Sequence, residues 1–172
     1  MRFISILLFL TLILIASCAR DAARSLMDQA TELEAQGNYA EALVVLERIV
    51  KEHPDSPHAP AALFRCAWLY NNEQEDALKA ATTYELVNDR YPDSEYGHKG
   101  LFAAGFTYAN ELENVERAKA AYDKYLSMYA DSSMAETVRF ELEHLGSSPD
   151  IVLQMLQEQN PEPLAPTPPD YE

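Results

Sequence analysis

Basic residues are scarce in this chain. It carries 13 Lys and Arg against 28 Asp and Glu, a formal charge of −15 over 172 residues. That imbalance argues against nucleic acid, whose binding is driven by cations meeting phosphates. It argues equally against adhesion to anionic lipid through charge. Glycine is sparse, with five residues. There is no glycine-rich phosphate loop and no Gly-x-Ser-x-Gly elbow. The four histidines, His53, His58, His98 and His144, form no His-x-x-x-His pair. The two cysteines, Cys18 and Cys66, form no Cys-x-x-Cys pair, so no metal or cofactor is expected. They offer no disulfide framework either. Cys66 lies in the apolar run Leu63–Trp68 and reads as a small buried packer. With no convergent acid–base or nucleophile set in sight, no catalytic residue is assigned and no enzymatic activity is expected.

Long apolar runs are also missing, apart from Phe3 to Ile15. Arg2 precedes that run and Ala16-Ser17 closes it, the layout of a secretory signal over residues 1–17. It is too short for a comfortable membrane span. The stretch Leu14-Ile15-Ala16-Ser17-Cys18 resembles the bacterial lipoprotein box. The resemblance implies cleavage before Cys18 and its acylation, with palmitate among the chains. The alternative is an ordinary signal cut nearby, leaving Cys18 free. Ala19 stands where an aspartate would signal inner-membrane retention in many Gram-negative bacteria. The resemblance thus implies a cell-envelope protein on the outer membrane, facing the periplasm. Cleavage would remove Arg2 and leave a formal charge of 12 − 28 = −16. Residues 18–21 form a short tether.

Between these bounds one phrase recurs. It reads His53-Pro54-Asp55-Ser56, Tyr91-Pro92-Asp93-Ser94 and Tyr129-Ala130-Asp131-Ser132, at a spacing of 38. Ala42, Ala80 and Ala118 keep the same beat, as do Leu46, Tyr84 and Tyr122. A period of this length signals stacked helical repeats. In the second unit Ser56-Pro57 reads as an N-cap and first turn. Leu63, Ala67 and Tyr70 form one helix face, followed by a polar turn from Asn71 to Asp76. Ala77, Ala80, Ala81, Tyr84 and Val87 form the face of a second helix, which Pro92 ends. Leu101, Gly105 and Tyr108, then Ala118, Tyr122 and Tyr125, repeat this in the third unit. Leu26, Ala30 and Leu33, then Ala42, Leu46 and Ile49, do so in the first.

These residues resemble the tetratricopeptide repeat, over about Ala22 to Leu145. Ala30, Ala67 and Gly105 match the family's small first-helix position, and Pro54 and Pro92 its terminal proline. The units run 37–38 residues rather than 34, and Ala130 replaces the third proline. The expected fold is an all-α solenoid of three helix pairs with a C-terminal capping pair. Its units are 22–56, 57–94 and 95–132, followed by a helix over 133–145, with Gly146 as its stop. A last helix is expected over 148–159 and a proline-rich, disordered tail over 160–172. Together with the lipoprotein box, the Tyr-Pro-Asp-Ser phrasing resembles periplasmic repeat lipoproteins. These include the outer-membrane β-barrel assembly lipoproteins and the Tol-Pal and cell-division coordinators. The resemblance implies an envelope protein or peptide as partner, reached through the lipid anchor and without nucleic acid.

Phe64 and Trp68 are four apart, as are Phe102 and Phe106, and the two pairs are 38 apart. They sit one residue off the core face of the first helix, which in tetratricopeptide arrays turns toward the concave groove. Asn72 and Asn110 follow one turn later, and Met27 takes the matching place in the first unit. An aromatic ladder flanked by amides suits an extended or helical peptide. The other reading packs the rings between neighbouring helices or beneath Ile151–Leu156.

Overall fold

The computed structural model describes residues 22–147. The expected signal segment, Cys18 and its tether, the 148–159 helix and the tail lie outside the described residues. Helix α1 spans 22–35. It is followed by α2 (Tyr39–Glu52), α3 (Ala59–Asn72), α4 (Ala77–Arg90), α5 (Glu95–Asn110), α6 (Val115–Tyr129) and α7 (Ala135–Glu143). From α2 onward each helix packs on the next, and the first helices α3 and α5 also touch. This is the expected all-α solenoid. No helix among the described residues is long and apolar enough to cross a membrane.

The caps follow from the sequence. Asp76, Ser94 and Asn114 each accept a hydrogen bond from the backbone N–H three residues on. Each such cap contributes about 1 kcal/mol. Gly37 turns the chain between α1 and α2 with φ +76°, a conformation that L side chains rarely adopt. Pro54 and Pro92 push His53 and Tyr91 out of the helical region, so α2 and α4 stop one residue earlier. Where Ala130 replaces proline, Tyr129 stays helical and α6 runs one residue further.

Four boundaries differ from expectation. Ser56 does not cap α3. Its hydroxyl accepts from His58 N–H in a turn, and the helix begins at Ala59. Pro60 stands four residues after Ser56 and has no N–H to close the first α-type bond there. Asn71 and Asn72 belong to α3, so the polar turn is only Glu73–Asp76. The helix expected over 133–145 is shorter, Ala135–Glu143. Gly146 is left-handed at φ +80°, two residues past the cap His144.

The periodic alanines form the core. Ala30, Ala42, Ala67, Ala80 and Ala118 are all fully buried. Gly105 takes the small position in α5, and the Tyr122 ring lies so close that a Cβ there would overlap it. Cys66 is buried, and desolvation together with the nearby Glu47 charge pushes its thiol up to about 12. It is a packer, not a thiolate.

Two joints tie successive units. The Tyr91 hydroxyl donates to the Pro54 carbonyl at 3.0 Å, and the Tyr129 hydroxyl to that of Pro92 at 2.7 Å. Thus the tyrosine of each recurring phrase latches onto the proline of the preceding one. The second joint joins three side chains. The Tyr108 hydroxyl donates to Glu85, which also accepts from Arg117, and that guanidinium lies 4.3 Å over the Tyr108 ring. One unit earlier Tyr70 donates to Glu47, with Lys79 3.8 Å over its ring.

Candidate functional site: the aromatic face of the first helices

Period and helix pitch together place the ladder on α1, α3, α5 and α7. Residues i and i+4 share a helix face, and the 38-residue repeat brings that face to the same side in each unit. The two members of each pair nevertheless have different surroundings. Phe64 is half-buried, with ring centroids 5.0 Å from Tyr84 and 5.5 Å from Tyr96. Phe102 is likewise half-buried, 6.3 Å from Tyr122. Trp68 and Phe106, one turn further along, are each 44% exposed. The ladder therefore has an inner row that packs and an outer row open to solvent. The expected cover by Ile151–Leu156 lies outside the described residues.

Met27 belongs to neither row. It is half-buried, and its sulfur lies 3.0 Å from an Arg65 nitrogen. Arg65 also donates to Thr31 at 3.1 Å and pairs with Glu34 at 2.5 Å. This guanidinium covers the matching place in the first unit. Asn72 and Asn110 are exposed, but each spends one amide N–H on its own helix. They donate to the carbonyls of Trp68 at 2.9 Å and Phe106 at 3.0 Å. To a partner backbone each offers its remaining N–H and its carbonyl oxygen.

The ladder continues one unit further than expected. Phe140 and His144 stand 38 residues after Phe102 and Phe106. Their rings stack at 4.2 Å between centroids, and Phe140 is 36% exposed. The period itself carried this signal. Beside them opens a hollow of about 600 Å³, lined by Asn110, Glu113, Val115, Glu141, His144 and Leu145 among others. The rings of the inner row rest on neutral phenols. Burial pushes Tyr84 up to about 12, and it raises Tyr122 as well. Among the described residues no group of three or more metal-ligating side chains is placed to hold a metal.

The tetratricopeptide repeat pattern matches residues 33–101 and again 100–132. The chain carries tetratricopeptide repeats. Among solved structures, the tetratricopeptide domain of Sgt2 from Aspergillus fumigatus is similar, with a TM-score of 0.51 at 19% identity. The likeness covers 88% of this chain and 91% of that one, and at such identity it speaks for the fold alone. No curated protein matches the chain. Tetratricopeptide arrays act by displaying surface to other proteins rather than by catalysis.

Proposed function

We propose that the chain is a non-catalytic scaffold of the cell envelope, held by lipid at Cys18, whose outer aromatic row binds an apolar segment of a partner protein. The observation that carries this reading is the exposure of Trp68 and Phe106, 44% each, at equivalent places in successive repeats. Large rings left half in water at a repeat period are suited to become anchors of an interface. With a tether of residues 18–21, about 14 Å at full extension, the array stays close to its membrane. Outer-membrane protein assembly fits that geometry. The runner-up is coordination of cell-wall synthesis or of Tol-Pal-type machinery.

Crosslinking in native membranes with mass spectrometry tests the reading and separates its two branches by partner identity. Trp68→Ala with Phe106→Ala should abolish the dominant crosslink, since anchor truncations cost about 2 kcal/mol or more of binding. The same change should leave stability within about 0.5 kcal/mol per site, as for exposed positions generally. Phe64→Ala is the contrast, because it empties an inner-row contact and should lower stability. Retention of the crosslink by the double variant would defeat the groove. Membrane attachment is tested separately with Cys18→Ser. That variant should appear in the soluble fraction or keep its leader, and unchanged processing with unchanged attachment removes the lipid anchor.

A further inference from the structure

The second helices carry a cleft unlike its neighbour. It lies between α2 and α4 over α3 and has a volume of about 310 Å³. Val50, Leu63 and Leu86 contribute apolar lining, and Lys51, Lys79 and Arg90 contribute cations. One carboxylate, Glu47, also lines it and already accepts from the Tyr70 hydroxyl. Cations are rare in this chain, and seven of those among the described residues are ion-paired. Lys51, Lys79 and Arg90 make no salt bridge among the described residues.

The next repeat shows what such a joint looks like when it is closed internally. There Asp89 stands in place of Lys51, Lys124 in place of Leu86 and Met128 in place of Arg90. Lys124 pairs with Asp89 at 2.6 Å, and Arg117 pairs with Glu85 at 3.1 Å. The first joint replaces that internal pair by a lysine facing a leucine. Three positive charges and one carboxylate, Glu47, thus surround an apolar lining, without a counterpart of Asp89, the second carboxylate of the equivalent joint.

We infer that this cleft is a binding site for a small anionic amphiphile, with a phosphate or carboxylate head among Lys51, Lys79 and Arg90 and a short aliphatic body over Val50, Leu63 and Leu86. Its volume lies at the lower end of the usual range for small-molecule sites, which suits a chain of a few carbons. Charge-assisted hydrogen bonds would hold the head. Its cations come from α2 and α4, whereas the ladder lies on the first helices, and the site does not depend on the function proposed for that ladder.

Hexyl phosphate, titrated calorimetrically into the whole protein in phosphatidylcholine nanodiscs, tests this. Saturable one-to-one binding is expected, and inorganic phosphate alone should bind at least tenfold more weakly. The triple change Lys51→Asp, Leu86→Lys and Arg90→Met writes the second joint's residues into the first. Its helical content and melting temperature should stay near wild type, while hexyl phosphate affinity falls by about tenfold or more. Nanodiscs containing phosphatidylglycerol distinguish the source of the anion. Loss of the hexyl phosphate signal there identifies a lipid head group as the occupant, and its persistence identifies a free small anion. Absence of saturable binding overturns the inference. So does equal affinity for inorganic phosphate, or full affinity in a folded triple variant.

Discussion

Tyr122→Ala is expected to lower stability by about 3–5 kcal/mol, the range for emptying a buried aromatic site. For a domain of this size that is a fall in melting temperature of roughly 10–20 °C. The ring is fully buried and forms the third unit's core with Leu101, Tyr125 and Val138. Gly105 lies against its face, so no side chain on α5 is positioned to fill the void. The hydroxyl gives a second, opposite expectation. It is buried and has no hydrogen-bond partner among the described residues. An unsatisfied buried polar group costs about 1–3 kcal/mol, so Tyr122→Phe should keep or raise the melting temperature. Thermal unfolding of the two variants reads both signs. A Tyr122→Phe variant that melts well below wild type would mean that the hydroxyl is paired and this part of the account is wrong. A Tyr122→Ala variant that melts with wild type would mean that the repeat register is wrong.

The solenoid was legible because its determinants are local and repeated. Alanine at 42, 80 and 118 and proline at 54 and 92 each act within one turn of helix, and their spacing is visible in the chain alone. The boundaries that shifted depend on details a period does not contain. Pro60 delays α3 only because it falls four residues after Ser56, whereas α5 has His98 at that place and starts directly from Ser94.

The aromatic pairs show a different limit. Spacing of i and i+4 places Phe64 and Trp68 on one helix face, but burial is decided by what the neighbouring helices bring. Tyr84 and Tyr96 reach Phe64 and leave Trp68, a turn along, 44% exposed. The joints between units were illegible for the same reason. Glu47, Tyr70 and Lys79 come from three helices, and only packing shows that they meet.

Raising pH should unfold the protein cooperatively between about pH 10 and 12, and the tyrosines are the cause. Six of the nine among the described residues, Tyr70, Tyr84, Tyr91, Tyr108, Tyr122 and Tyr129, have phenols held above their ordinary value, in each case chiefly by burial. Glu47 and Glu85 reinforce this at Tyr70 and Tyr108, where each carboxylate accepts the phenol's hydrogen bond. The sign follows from proton binding. Below pH 10 the phenols are neutral in both states, and their contribution to stability is fully present. Above it the unfolded chain releases protons that the native state keeps, so stability falls until the native phenols ionise too. Tyr84, pushed up to about 12, accounts for about 3 kcal/mol of this loss. Several such groups together exceed a large part of an ordinary domain's stability. Added salt screens repulsion within this acidic chain and leaves the phenol part. Phenolate absorbance near 295 nm and helical circular dichroism, followed on one sample, should show these six phenols ionising together with the loss of helix. If all the phenols titrate near pH 10 while the helices persist, water reaches hydroxyls that the packing between repeats is here held to exclude.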